Sequence, residues 1–302
     1  MNAALAAGCA YVDGQYVPIA EARIPLLDMG FSRSDCTYDV VAVWQGAFFR
    51  LDAHLDRFAR SCACLQLAPP VGRDEIARIL HECVGRSGLR DAYVEMIATR
   101  GVPNAGERDP RRITNRFYAY AIPYVWIAKP DQQAKGLHLA IARNVERISP
   151  RAVDPTVKNF HWGDLVRGLF EAYDRAADNA VLVDANGFVT EGPGFNVFAC
   201  YRGQLVTPAE GVLHGITRHT VLELAAAEGI TVRVGRVEPE MLRQASEIFL
   251  TSTAGGLMPV TLLDGQAVGT GAPGAMTLRL RERYWDAHRA GQWVTPVHYP
   301  AA

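Results

Sequence analysis

The chain has 302 residues, of which 49% are hydrophobic and 21% charged, and its formal net charge is −1. That length is about twice an ordinary ~150-residue domain, so one large α/β domain or two joined domains are expected, and the composition excludes disorder as the dominant state. A near-neutral balance without a long basic run removes the footprint of a nucleic-acid binder and points to a small-molecule partner.

In chain order, Leu5-Ala6-Ala7-Gly8-Cys9 looks like a lipoprotein cleavage box, but no basic residue precedes it and its apolar run is short. Six scattered cysteines without a secretory signal fit reduced thiols in a cytoplasm. Ala10 to Val17 around Asp13-Gly14, and Asp39 to Arg50 around Gln45-Gly46, read as hairpins. Asp52 is expected to cap a helix in which Leu55, Phe58, Cys62 and Leu65 recur at helical spacing, with Arg57 in its first two turns. The C-x-C of Cys62 and Cys64 lies on that helix without a second ligand pair, so no metal site is expected. A second helix follows over Asp74 to Val84, then strands at Ala92 to Thr99 and Arg116 to Ile122. Between them the polar loop Val102 to Arg112 is long enough to be a binding loop. Phe117 to Ala128 is the most apolar stretch, but it is far short of the ~20 residues that span a bilayer and is broken by Pro123, so a buried strand is expected and no membrane partner.

The polar segment 128–136 marks a boundary between a small N-terminal α+β domain, 1–127, and a larger C-terminal domain, 137–302. The second half reads as a strand at Leu137 to Ala142, a helix over Gly163 to Ala177, and a hairpin around Asn186-Gly187. Strands at Asn196 to Cys200 and Gln204 to Val206 precede a helix over Ile216 to Glu228. Strands at Thr231 to Gly235 and Glu247 to Thr251 and a last helix over Ala275 to Ala290 complete a mixed α/β reading.

Four features carry chemistry. Only three lysines exist, Lys129, Lys135 and Lys158; Lys158 stands between Val157 and Phe160, where an amine is either a nucleophile with a lowered pKa or a snorkelling cation. Gly211-Val-Leu-His-Gly-Ile-Thr217 places free N–H groups at a helix start, which favours an anion, and Thr251-Ser-Thr-Ala-Gly-Gly256 offers hydroxyls and small residues after a strand. With the fork of Arg57, these suit a phosphorylated ligand. Glu191, at a strand end before Gly192-Pro-Gly-Phe-Asn196, is either a solvated turn residue or the partner of a protonated heterocycle nitrogen. Two patterns are set aside: Gly269 to Gly274 matches G-x-G-x-x-G but lacks a βαβ unit, and His54, His214 and His219 are lone histidines suited to surface or satisfied-core roles.

Taken together, Ala22-Arg-Ile-Pro-Leu-Leu-Asp28, Phe49 to Arg57, Lys158-Asn-Phe-His-Trp to Glu171, Thr190 to Asn196 and Thr253 to Gly256 resemble the fold-type IV pyridoxal-phosphate aminotransferases, and most of all the (R)-selective amine transaminases. The resemblance implies a two-domain α/β (α+β) fold whose larger domain has a β-barrel-like core, and a homodimer. It implies that Lys158 holds pyridoxal 5′-phosphate as a Schiff base and shuttles the proton. Glu191 would pair with the pyridine nitrogen, Leu213 would pack on the ring, and Arg57, Ile216, Thr217 and Thr253 would hold the phosphate. Tyr38, Val40, Tyr93, Glu95, Trp162 and Ala254 would line the substrate pocket. Branched-chain relatives carry arginines where Ala42 and Glu95 stand, while Arg33 occupies a position usually held by histidine in the amine subgroup. Arg33 or Arg108 either binds a carboxylate or faces solvent. The implied reaction moves an amino group from an (R)-amine to a 2-oxo acid such as pyruvate. Alternatives are a D-amino-acid transaminase, an aminodeoxychorismate-type lyase, and a non-catalytic cofactor-binding scaffold.

Overall fold

The computed structural model describes residues 7–299, so Leu5 and Ala6 of the opening box lie outside the described residues. The chain divides into two compact units. One runs to Val125 and includes Val157–Phe160 and the residues from Gly291 on; the other comprises Trp126–Thr156 and His161–Ala290.

The first unit opens with β1 (Cys9–Val12) and β2 (Gln15–Pro18), whose Asp13-Gly14 turn has φ of 50° and 79°, the left-handed pair that a tight hairpin needs. There follow α1 (Met29–Arg33), β3 (Cys36–Trp44), β4 (Ala47–Phe49), α2 (Leu51–Cys64), α3 (Arg73–Ser87), β5 (Ala92–Thr99) and β6 (Arg116–Pro123). Asp52 is not the cap of α2. Arg50, at φ 57°, holds that position with its guanidinium 3.5 Å from the centre of the Trp293 ring, and Asp52 lies in the first turn, where its charge suits the positive helix end.

The second unit contains α4 (Pro130–Lys135), β7 (Leu137–Glu146), α5 (Gly163–Asp174), β8 (Asn179–Val183), β9 (Asn196–Tyr201), β10 (Gln204–Pro208), α6 (Ile216–Ala227), β11 (Val232–Gly235), α7 (Pro239–Arg243), β12 (Glu247–Ser252), β13 (Gly256–Leu263), β14 (Gln266–Ala267) and α8 (Ala275–Arg289). The chain then gives β15 (Val294–Pro296) to the first unit. The polar segment 128–136 is no open tether: it carries α4, with Ala128 and Gln133 buried. Gly269 to Gly274 leads into α8 with Gly274 at its N-cap, a helix-entry loop as its lack of a βαβ context required.

The first unit is built on a seven-stranded antiparallel sheet, β15-β4-β3-β5-β6-β1-β2. The second holds an eight-stranded mixed sheet, β11-β10-β9-β12-β13-β7-β8 with β14 against β13. β13 is not marked in the sequence because Pro259 interrupts its apolar run, yet the register sets Pro259 opposite Phe249 within an unbroken ladder.

One consequence of strand geometry positions the site. Side chains alternate between faces, and the registers Val40↔Glu95 and Glu95↔Tyr120 align three strands. Val41, Val43, Val94, Met96, Ala98, Phe117 and Ala119 therefore share the face that packs on Leu55, Phe58, Ile79 and Leu80 of α2 and α3. Tyr38, Val40, Ala42, Tyr93, Glu95, Tyr118 and Tyr120 share the other.

Beyond β5, Gly101 has φ 93°, and a Cβ there would lie 2.0 Å from the Thr114 carbonyl oxygen. Its own carbonyl accepts from Met29 N–H at 3.0 Å. A Gly101→Ala variant is expected to lose about 2 kcal/mol in urea unfolding, because the left-handed conformation and the backbone overlap penalise it together. An unchanged midpoint would refute this constraint.

Candidate active site

Lys158 lies on the four-residue segment that the first unit receives from the middle of the chain. Its carbonyl accepts from Thr37 Oγ1 at 2.6 Å and from Tyr38 N–H at 3.1 Å, which pins the segment to the start of β3. Nζ stands 4.4 Å from the centre of the Tyr38 ring, and Phe160 stacks on Tyr38 at 4.2 Å with planes 2° apart. A half-buried amine is thus set against an aromatic face instead of reaching freely into water.

On the opposite face of β3, Asp39 is fully buried and receives the Nε and Nη2 edge of Arg57 at 2.7 and 2.8 Å. His54 Nδ1 lies 2.8 Å from Asp39 Oδ1, an arrangement in which the ring N–H donates to the carboxylate. Burial alone would raise the Asp39 pKa, but the Arg57 charge and the hydrogen bonds from Arg57 and His54 carry it well below the usual carboxylate range. Burial lowers the pKa of His54, so this histidine is a satisfied core residue. Ser61, one turn after Arg57, approaches the Lys158 N–H at 3.5 Å.

Glu95 is 5% exposed on the face that carries Tyr38. The hydroxyls of Tyr93 and Tyr120 both donate to its Oε2, at 3.2 and 2.7 Å. Burial raises its pKa against the pull of the Tyr120 hydroxyl, the Lys158 charge and the Tyr93 hydroxyl.

In the second unit Glu191 is buried and bonded on both oxygens. Arg147 Nη2 donates to Oε1 at 3.1 Å, while Leu213 N–H and Asn196 Nδ2 donate to Oε2 at 2.8 and 3.4 Å. The solvated-turn reading of Glu191 is therefore excluded. Arg147 is itself held by Asp164 at 2.6 Å and leaves a buried Nε without a hydrogen-bond partner. Asn196 Nδ2 also donates to the Leu213 carbonyl at 2.9 Å, tying the turn before α6 to β9. α6 starts at Gly215 without a side-chain cap, with Ile216 and Thr217 buried in its first turn. A Cβ on Gly215 would meet Asn196 Oδ1 at 2.2 Å, so any larger residue would have to displace the Asn196 side chain. Beside this turn, Thr251 pairs in register with Asn196 and leads into Thr253 and Ala254. Ser252 Oγ donates to the Gly194 carbonyl at 2.8 Å and accepts from Ala254 N–H at 3.1 Å. Trp162 is half-buried at the start of α5.

Within the first unit the structure gathers Lys158, Tyr38, Val40, Tyr93 and Glu95 on one sheet face and sets Arg57 on the helix whose Ser61 meets Lys158. Within the second it gathers Glu191, Leu213, Ile216 and Thr217 around Asn196, with Thr253 and Ala254 on the neighbouring strand end. Arg33 and Arg108 are exposed, and neither guanidinium has an ion-pair partner among the described residues. Sequence reasoning missed Asp39, Arg147 and Asp164. A carboxylate inside an apolar strand was the available sign for Asp39; nothing around Arg147 distinguishes it from a strand-end arginine.

The family model of amino-transferase class IV matches residues 37–263. A putative branched-chain-amino-acid aminotransferase of Methanocaldococcus jannaschii is 32% identical over 279 residues, 91% of this chain and 95% of that protein. A D-alanine aminotransferase of Bacillus licheniformis is 29% identical over 268 residues, 88% and 92% of the two chains. The crystal structure of a T.th. branched-chain amino acid aminotransferase with pyridoxamine 5′-phosphate superposes with a TM-score of 0.89 at 28% identity, covering 96% of this chain and 99% of that one. The chain belongs to the class IV aminotransferase family, has its fold, and uses pyridoxal 5′-phosphate.

Removing the Asp39 carboxylate strands a buried guanidinium. Asp39→Ala is expected to lose about 3–5 kcal/mol of stability in denaturant unfolding. Because the folded pKa of Asp39 lies below its unfolded value of about 4, the pair stabilises fully above that pH and is lost as pH falls further. The wild type should therefore show a steeper acid loss of stability below about pH 4 than Asp39→Asn; equal slopes would contradict the assignment.

Proposed function

We propose that this class IV aminotransferase moves an amino group from an (R)-amine to a 2-oxo acid such as pyruvate, as a homodimer in the cytoplasm. The observation that carries the reading is the make-up of the Lys158 face: Tyr38, Val40, Ala42, Tyr93, Glu95 and Tyr120 stand there, and Arg116, which strand alternation puts on the same face at the start of β6, is paired with Asp13 at 3.0 Å. A donor bearing an α-carboxylate needs a cation, and this face presents an anion instead. The (R) configuration is inherited from the resemblance. The homodimer is supported by Val166, Phe170 and Tyr173, exposed at helical spacing along one side of α5. No helix among the described residues is long and apolar enough to cross a membrane.

The residues fit the cofactor on observations made in each unit. Lys158 offers an amine against a ring face, Arg57 a buried guanidinium, Glu191 a buried carboxylate ringed by donors, and α6 an uncapped start that glycine keeps open. When bound, pyridoxal phosphate supplies an aldehyde that condenses with amines and a ring that accepts the electrons of the broken bond. Lys158 Nζ would bond the cofactor and, when freed by the donor amine, would carry the proton between the substrate carbon and the cofactor. Glu191, oriented by Arg147 and Asn196, accepts the hydrogen bond of the pyridine nitrogen. Arg57, oriented by Asp39, and the N–H groups of Ile216 and Thr217 bind the phosphate together with Thr253, while Leu213 packs on the ring. Tyr38, Val40, Tyr93, Trp162 and Ala254 line the place of the substrate.

A second reading, D-amino-acid transamination, is favoured by the D-alanine aminotransferase among the relatives and by two arginines, Arg33 and Arg108, that have no ion-pair partner among the described residues. The protein assayed with pyruvate and (R)-1-phenylethylamine, with 2-oxoglutarate and D-alanine, and with aminodeoxychorismate alone separates these readings and the lyase; amino transfer from neither amine sinks both transaminase readings. Lys158→Ala is expected to lose the visible absorbance of the bound cofactor and at least ~10⁴-fold in turnover, as loss of a covalent catalyst does. Arg33→Ala should weaken use of D-alanine or the 2-oxo acid by about tenfold while sparing plain amines, the cost of one charge-assisted pair; equal loss for both removes the carboxylate role.

A further inference from the structure

Glu95 is the unusual group on the Lys158 face. A carboxylate taken from water needs donors on both oxygens, because an unsatisfied buried acceptor keeps its full desolvation cost. Here both tyrosine hydroxyls converge on Oε2, and Oε1 accepts no hydrogen bond among the described residues. Oε1 is not wholly sealed, so this otherwise buried carboxylate keeps one oxygen in contact with solvent. The nearby cation is Lys158, whose charge acts on Glu95, and that amine is the one committed to the cofactor. A wholly apolar donor placed here would leave the carboxylate unpaired in a dehydrated site, and a carboxylate-bearing donor would set like charge against like.

We propose that Oε1 of Glu95 is the specificity-determining acceptor of this enzyme, and that the preferred amine donor carries a hydroxyl or second ammonium group on the carbon next to the reacting one. This deepens the proposed function and rests on it. A site built to hydrogen-bond a substrate group discriminates strongly against the analogue that lacks it, because its own polar atom is then left unpaired. Tyr93 and Tyr120 act as positioning residues: they fix one oxygen of the carboxylate and so aim the other.

Three donors of (R) configuration and nearly equal size isolate the group in question: D-alaninol, (R)-2-aminobutane and D-alanine, which differ in carrying a hydroxymethyl, an ethyl or a carboxylate. With the holoenzyme, kcat/KM is expected to be at least about tenfold higher for D-alaninol than for (R)-2-aminobutane, the worth of one hydrogen bond to a charged group, and lowest for D-alanine. Glu95→Leu should bring D-alaninol and (R)-2-aminobutane within about twofold of each other, within the limit that a lost hydrogen bond sets. Glu95→Gln keeps an acceptor oxygen without the charge, so it should retain much of the D-alaninol preference while admitting anions.

A binding measurement stands apart from turnover. Calorimetric titration of the holoenzyme with methanesulfonate, an anion across the working pH range, should show at least about fivefold tighter binding to Glu95→Gln than to wild type, about 1 kcal/mol of relieved repulsion. In the wild type that binding should tighten as pH falls, because protonating Glu95 removes its charge. Lys158 and the hydroxyls of Tyr93 and Tyr120, beside which Tyr38 lies, face Glu95, while the charge of Asp39 acts on it from the opposite face of the sheet. Equal turnover of D-alaninol and (R)-2-aminobutane by the wild type, or methanesulfonate binding unaffected by Glu95→Gln, overturns the proposal and leaves the transaminase reading standing. If none of the three amines reacts, the proposed function falls and the methanesulfonate titration still decides whether Glu95 excludes anions.

Discussion

Successive residues of one strand face opposite ways, and much of the chemistry in the first unit depends on that alternation in β3. Tyr38 turns toward the amine of Lys158, and Asp39 turns inward to grip Arg57 and His54. The segment bearing Lys158 is pinned by its carbonyl to Thr37 and Tyr38, so the amine and the guanidinium are both referred to two adjacent residues. A one-residue slip of β3 would invert its faces, turning Tyr38 into the core against α2 and α3 and expelling Asp39 from its cation. The apolar partners Val41 and Val43, fully buried against α2 and α3, oppose such a slip. The same hydrophobic pattern that stabilises the sheet therefore also orients Tyr38 toward Lys158 and Asp39 toward Arg57.

Charge burial follows a common rule in the two units. Asp39 is neutralised by Arg57, and Glu191 by an arginine that Asp164 shares. In each case a guanidinium fork or an arginine bridge fixes direction as well as charge, which a lysine could not do as well. Such pairs add little net stability, since desolvation offsets much of their attraction, but they hold a carboxylate in one orientation. Orientation is what the proposed cofactor-binding roles of Arg57 and Glu191 would need.

How much of this was legible depends on the range over which each signal acts. The helices announced themselves through local spacing: Leu55, Phe58 and Cys62 mark α2, and the Asp13-Gly14 and Gln45-Gly46 dipeptides mark turns whose positive φ values suit their glycines. The cap of α2 did not, because Arg50 holds it by lying over Trp293, a residue more than two hundred positions away. Pro259 hid β13, whose pairing partners come from β12 and β7. Among site residues, Lys158, Glu191 and Arg57 stood out by residue type and motif. Their orienting partners, Asp39 and Arg147, are ordinary residues until tertiary structure brings them within hydrogen-bond reach. Asn196 lay inside a recognised motif without its role being readable there.

The two halves of a transamination place opposite demands on one enzyme. The proposed donor is a cation without a carboxylate, and the proposed acceptor is an anion, so the same chain must favour each in turn. A face carrying Glu95 favours the first and resists the second. On the proposed reading, an arginine in that place would reverse the preference. The acceptor's carboxylate must then find its cation or backbone donors away from this face. Arg33 on α1 and Arg108 in the loop before β6 keep their guanidinium groups uncommitted to any carboxylate of the described residues, and an uncommitted guanidinium is what a transient anionic substrate requires. On the proposed reading, the carboxylate of Glu95 and the two exposed guanidinium groups would then serve different halves of the reaction.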